Sequence, residues 1–396
     1  MNGLTVYLND CGVVCALGAS RAEVRARLFA ADSGVVPTGS YTPGRVLPLG
    51  VVDAVLPSVA RHGIAARSRN NRMALAALAQ IRPAVEQAIE RYGADRVAVV
   101  IGTSTSGIAE TEGAIGQHVA GDGLPGAFHY GQQEMASPAL MLAEELGIDG
   151  PALVHSSACS SSAKAMASAA RLIRMGLCDA VLTGGVDTLC GFTVAGFSAL
   201  ASVSARRCNP LGANRDGINI GEGAALFLMT AQPASVSLRG WGESSDGHHM
   251  SAPDPAGGGA RLAIAQALAR ARITASEVDY VNLHGTATPQ NDEMEARVVS
   301  DLFGGTALVS STKPLTGHAL GAAAAIEAAL CWLAMQDDNA EGLLPPHLWD
   351  GVPDASLPLL RLALPGARLG RPLDWALSNS FAFGGSNAAL LFGRGA

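Results

Sequence analysis

Aromatic residues make up only 5% of this 396-residue sequence, which argues against a ring-packed β-sandwich; the many alanines and 47 glycines favour helices packed closely on sheets. Basic residues do not predominate. The formal charge of −7 argues against bulk affinity for nucleic acid, while leaving room for a local basic patch. The seven cysteines form no CxxC pair and are odd in number, so neither a zinc-ribbon pattern nor a disulfide framework is expected, and a reducing compartment is. The apolar run nearest to a membrane span, 317–336, carries Glu327 and follows on from His318, so a buried soluble helix is the expectation. The start, MNGLTVYLNDCG, lacks the basic region and apolar core of a signal peptide, making the cytoplasm the default location. GTSTSG at 102–107 follows an apolar run but contains no GK[ST] or GxGxxG pattern, which leaves a nucleotide site without support.

What is present fits an α/β chain with a large core, 48% of its residues being hydrophobic. Residues 3–9 read as a strand, with Gly12 and Gly18 punctuating a turn; Ser20 caps a helix with Glu23 three residues on. Gly, Pro and Thr between Asp32 and Pro57 indicate loop, with a short strand near Leu47–Val52. A long amphipathic helix follows despite Pro83, then a buried strand at 96–101. Arg61, Arg67, Arg69 and Arg72 form the densest basic cluster, either a solvated surface or a dock for an acidic partner. Asp216 and Glu222 interrupt a glycine-rich, then apolar stretch and read as buried polar structure. From Ser235 the strand–helix–strand order starts again, which suggests a duplication with halves 1–234 and 235–396.

The chain is organised around VHSSACSSSAKAMASAARLIRMG, 154–176, an extended apolar start running through small residues into an alanine-rich helix. Cys159 is expected in that helix's first turn, where free N–H groups and the helix dipole favour a thiolate and can hold an oxyanion. A buried structural cysteine is the plainer alternative. His284 ends an apolar strand, a usual site position in α/β proteins; His318 lies just before or within a helical start, which favours its neutral ring. Cys159, His284 and His318 could also be read as zinc ligands, although no adjacent ligand pair anchors a metal.

The motifs SSACSSS around Cys159, DGINIGEGAA at 216–225, NLHGTATPQND at 282–292, STKPLTGHALGA at 311–322 and NSFAFGGSNAAL at 379–390 resemble, in order and over nearly the whole chain, the β-ketoacyl-ACP synthases. The resemblance implies a duplicated, five-layered α-β-α-β-α thiolase-like fold and decarboxylative condensation of malonyl-ACP with an acyl chain on Cys159. It implies no cofactor or metal, with substrates carried on the phosphopantetheine of an acyl carrier protein. It matches His284 and His318 to the two catalytic histidines, Lys313 and Glu327 to their supporting pair, and Asp292 to a structural acid. Phe383 matches the gating residue whose N–H joins that of Cys159 in the oxyanion hole; Thr286 and Thr288 match pantetheine contacts. Arg67, Arg69, Arg72, Arg206 and Arg207 fall where relatives meet the carrier. The implied assembly is a homodimer, or a heterodimer with a chain-length-factor-like or sister synthase.

Asn291 replaces the glycine usual before the HGT-segment aspartate, and Ser160–Ser161–Ser162 and Asn214–Arg215–Asp216 also depart from the common wording. These variants look most like aryl polyene and related specialised synthases, with general fatty-acid elongation as the alternative. Cys159 itself argues against a chain-length factor, and the two histidines against an acetyl-CoA-using initiator. Phe381–Ala382–Phe383 stands where a thiolase usually has its second cysteine. A noncatalytic scaffold for a sister synthase is the alternative of another class.

Overall fold

The computed structural model describes residues 4–395. The chain runs β1 (Val6–Cys15), α1 (Arg21–Phe29), β2 (Val35–Thr38), β3 (Leu47–Gly50), α2 (Arg69–Tyr92), β4 (Val97–Gly102), α3 (Ile108–Ala120), α4 (Ser137–Leu146), β5 (Ala152–His155), α5 (Ser161–Arg174), β6 (Ala180–Asp187), α6 (Gly191–Ala199) and β7 (Gly223–Thr230). It continues through β8 (Val236–Ser245), α7 (Gly258–Ala271), β9 (Tyr280–Asn282), α8 (Pro289–Phe303), β10 (Leu308–Ser310), α9 (Lys313–Thr316), α10 (Ala323–Ala334), β11 (Trp375–Ala382) and β12 (Ser386–Arg394).

Ten strands join in the order β10-β9-β11-β12-β8-β1-β7-β6-β4-β5; β2 and β3 form a separate antiparallel pair. The order is a repeat. In the first five, β1 pairs antiparallel with β7, β7 antiparallel with β6, β6 parallel with β4, and β4 parallel with β5. In the second five, β8 pairs antiparallel with β12, β12 antiparallel with β11, β11 parallel with β9, and β9 parallel with β10. Among the described residues, Val6↔Leu238 and Tyr7↔Ser237 join the two sets. The chain therefore has the duplicated α/β thiolase-like fold, and α5 and α10, each following the third strand of its set, pack against each other between the two sets.

Alanine makes that central packing possible, since helices carrying small side chains can sit close to strands and to one another. Along α5, Ala163, Ala165, Ala167, Ala169 and Ala170 are buried; α10 is buried along nearly its whole length. Gly12 corrects the expected turn: β1 runs straight through it, and the missing side chain leaves room for the carbonyl of Ala77 on α2. Ser20 does cap α1, its hydroxyl accepting the Glu23 N–H while the Glu23 carboxylate accepts from Ala19. The helix expected from about Asp292 starts earlier, at Pro289, because a proline needs no N–H partner in the first turn.

Candidate active site

Cys159 sits in the link between β5 and α5, 5% exposed, just ahead of the helix rather than in its first turn. Ala158 takes a left-handed conformation, φ 50°, so the chain turns sharply before the cysteine. Ser161 holds that turn, its hydroxyl accepting from Ser157 N–H and donating to the Ala158 carbonyl. Burial works against the thiolate that a helix start favours. Burial pushes the thiol up to about 12, against the opposing effects of Lys313 and a backbone hydrogen bond from Phe383. Desolvation outweighs the nearby positive charge.

His318 comes from the second half and is tied to the first, its N–H donating to the Asn219 carbonyl and its own carbonyl accepting from Gly221 N–H. Its Nε2 lies 2.9 Å from Cys159 Sγ. His284 follows β9, and its ring meets that of His318 edge-on at a centroid distance of 5.4 Å. Burial first, and then the Lys313 ammonium, hold both imidazoles well below their ordinary range; His284 is lowered further by His318. Both rings are therefore neutral at physiological pH. Lys313 is buried at the start of α9 and pairs with buried Glu327 on α10; burial raises the Glu327 carboxyl while Lys313 opposes the rise.

The ligand atoms of Cys159, His284 and His318 all lie within 4.8 Å of one another, so the zinc reading has donors. The 2.9 Å between Sγ and Nε2, however, is a hydrogen-bond contact. Sulfur and nitrogen ligands of a tetrahedral zinc stand roughly 3.5 Å apart.

A small cavity of about 50 Å³ opens onto this cluster and is lined by Thr286, Thr288, Phe197, Phe381 and Phe383, among others. The hydroxyls of Thr286 and Thr288 lie 2.9 Å apart, and Phe383 packs on Phe197 at 5.5 Å between ring centroids. Asp292 is buried and accepts from Leu211 N–H and Ala287 N–H, tying two loops together below the cavity.

The arginines divide. Arg69 is half-buried, donating to the fully buried Glu222 and to the Val52 carbonyl. Arg72 spans to the carbonyls of Leu56 and Pro57, and Arg67, although exposed, to those of Ala60 and His62. Arg61 pairs with Glu145. Arg206 and Arg207 are exposed, Arg206 pairing with Asp216 at 3.3 Å. Asp216 is exposed, against the expectation of burial that Glu222 meets.

Two acids went unread in the sequence. Glu295, on α8, accepts the N–H groups of His284 and Gly285 and the Asn379 amide, and burial lifts its carboxyl to about 7. Its signal was the spacing of three residues from Asp292, which puts both on one helix face. Asp187, at the end of β6, accepts from Thr103, Ser104 and Thr105 and, at 2.6 Å, from Gly321 N–H three residues beyond His318. The GTSTSG stretch thus cradles a carboxylate of the chain itself.

The model of the beta-ketoacyl synthase N-terminal domain matches residues 52–234, and that of the C-terminal domain residues 236–348. Nodulation protein E of Rhizobium meliloti is 32% identical over 364 residues, covering 87% of this chain and 88% of its own. The 3-oxoacyl-[acyl-carrier-protein] synthase 2 of Staphylococcus aureus is 32% identical over 347 residues, 82% of this chain and 84% of its own. The solved structure of the ketosynthase ApeO in complex with its chain length factor ApeC, from Xenorhabdus doucetiae, matches with a TM-score of 0.92 and 42% identity, over 99% of this chain and 98% of that one.

Proposed function

The chain belongs to the β-ketoacyl synthase family, and from that premise we propose that Cys159 carries the acyl chain while His284 and His318 promote the decarboxylative condensation with malonyl-ACP. The observation that carries this assignment is the contact of a buried thiol with a neutral imidazole, Sγ to Nε2 2.9 Å, beside a second neutral imidazole. In the first half-reaction the Cys159 sulfur attacks the acyl thioester and the carrier's thiol leaves. The thiol proton goes to that leaving sulfur while His318 keeps its own Nε2–H, and the N–H groups of Cys159 and Phe383 receive the oxyanion.

In the second half-reaction malonyl-ACP loses CO2. Nε2–H groups of His284 and His318 donate to the thioester oxygen as enolate character develops, and the carbanion attacks the Cys159 thioester. The new carbon–carbon bond forms as the carbon–sulfur bond breaks, and the Cys159 thiolate takes up from solvent the one proton that the decarboxylative condensation consumes, restoring the thiol. Lys313 and Glu327 supply the local field. Thr286 and Thr288 hold the pantetheine arm, Phe383 gates the acyl side, Asp292 braces the loops, and Arg206, Arg207 and Arg67 meet the carrier. The halves are 1–234 and 235–396, and no metal or cofactor takes part.

The pathway is an aryl polyene or related specialised one, and the partner a chain-length-factor-like or sister subunit. Likeness to ApeO, solved with such a factor, and the retained Cys159 support both points. No helix among the described residues is long and apolar enough to cross a membrane. We place the enzyme with its carrier in the cytoplasm. Intact-protein mass after polyenoyl- or saturated acyl-ACP, then malonyl-ACP, tests the assignment. Preferential extension of polyenoyl chains supports the specialised pathway, and efficient extension of saturated ones favours fatty-acid elongation. Absence of a Cys159-dependent adduct, with Cys159→Ala as control, overturns the catalytic role.

A further inference from the structure

The strand β5 ends the first set of five and leaves one edge open. Val99 on β4 and Thr103 just after it donate to the carbonyls of Pro151 and His155, so the backbone groups of Ala152 and Val154 face away from the sheet. Leu153 on this strand is 45% exposed, and exposed Leu140 on α4 and Met135, which accepts from Ser156, extend the apolar surface.

Beside that edge lies the one stripe of α5 that is not buried. Lys164, Ser168 and Arg171 line it, with Leu172 and Arg174 following. Lys164 donates to the hydroxyl of Ser386, at 2.6 Å. Arg171, Arg174 and Arg270 surround the ring of Trp241, at 5.7, 4.6 and 5.4 Å. Among the described residues, the carboxylate paired with these four cations is that of Glu243, which serves Arg171. His155, closing β5, is held low by burial and then by the Arg171 and Lys164 charges. In a chain of net charge −7 this is a concentrated positive field on an apolar, open-edged face.

We infer that this face seats a non-identical subunit presenting carboxylates opposite Lys164 and the Trp241 arginines, and that the cations select against a second copy of this chain. Two identical subunits meeting here would set the patch against its own image, cation facing cation. A sister subunit with acids at those places would satisfy the same open edge and the same charges. The inference rests on the sister-subunit reading above and gives it a recognition chemistry.

Opposite salt responses test it. Sedimentation equilibrium of the wild-type chain alone should show self-association that strengthens several-fold from about 0.05 M to about 0.5 M NaCl, as repulsion is screened. Mixing it with a tagged Lys164→Glu copy should give mixed pairs above the statistical share at low salt, with the excess lost at high salt. Self-association that is unchanged or weakened by salt overturns the inference, as does a statistical mixture from a variant whose thermal melt matches wild type. If Lys164→Glu fails to fold, the wild-type salt slope decides. A salt-insensitive homodimer that condenses substrates alone would also remove the sister-subunit reading. A chain that needs a sister subunit yet shows a flat slope would overturn the charge selection only.

Discussion

One oxygen of the Glu295 carboxylate accepts the His284 N–H at 2.8 Å while the other accepts Gly285 at 2.7 Å, so a single buried acid fixes the backbone of a catalytic loop. Burial lifts this carboxyl from 4.5 to about 7, which means that between those values the folded chain keeps a proton the unfolded chain has shed. Stability should therefore fall as pH rises through that window, by roughly 3 kcal/mol at about 1.4 kcal/mol per pH unit, and level off above it. Urea midpoints across the range should show this slope in wild type and its loss in Glu295→Gln. An equal slope in both would remove Glu295 as its source.

Cys159 is a thiol at rest. Because burial holds it near 12, alkylation by iodoacetamide should accelerate about tenfold per pH unit between about pH 7 and about pH 9, without a plateau. A rate already level below neutrality would show a stable thiolate–imidazolium pair instead.

Neutral histidines set the acid limb of the condensation. His284 and His318 protonate well below the ordinary imidazole range, so turnover from about pH 8 down to about pH 6 should not decline through these rings. Replacing either by alanine should lower malonyl-ACP decarboxylation by about 10²–10³-fold while melting stays near wild type. A midpoint near 6.5 that vanishes in either variant would contradict the neutral assignment.

Lys313 and Glu327 are paired where water does not reach. Removing one partner alone, as in Glu327→Ala, should cost about 3–5 kcal/mol because a buried charge is stranded. The double change Lys313→Met with Glu327→Leu should regain most of that stability and little of the activity. Recovery of both in denaturant and turnover assays would reduce the pair to packing.

Two arginines separate folding from docking. Arg69→Ala strands the buried Glu222 and should lower stability by about 3–5 kcal/mol. Arg207→Glu, on an exposed residue, should leave the melt unchanged and raise the KM for acyl-ACP, most at low salt. The reverse pattern would exchange their roles.

The order of helices and strands could be read from alternating apolar runs, and with it the duplication, because each half buries its strands in the same sequence of connections. His284, His318 and Cys159 were legible for a similar reason: each stands where an apolar segment gives way to small residues. Proximity was not. Nothing in local pattern says that Glu295 folds back onto His284, or that Asp187 takes the hydroxyls of Thr103 and Thr105 and the N–H of Gly321. Gly12 was misread because a glycine needed for the approach of α2 looks the same in sequence as one needed for a turn. The state of Cys159 was not legible because helix geometry is local, whereas desolvation depends on everything packed around the sulfur.

The repeated strand order has a consequence for how this enzyme divides two kinds of work. Cys159 lies between β5 and α5, and Lys313 and His318 lie between β10 and α10, which are corresponding connections of the two sets. Two corresponding connections thus carry different chemistry, a thiol in one and an ammonium and an imidazole in the other. Neither repeat contains a reaction by itself. Selection on the seam between them is selection on the chemistry, so a drift of either repeat should silence the enzyme well before it unfolds it.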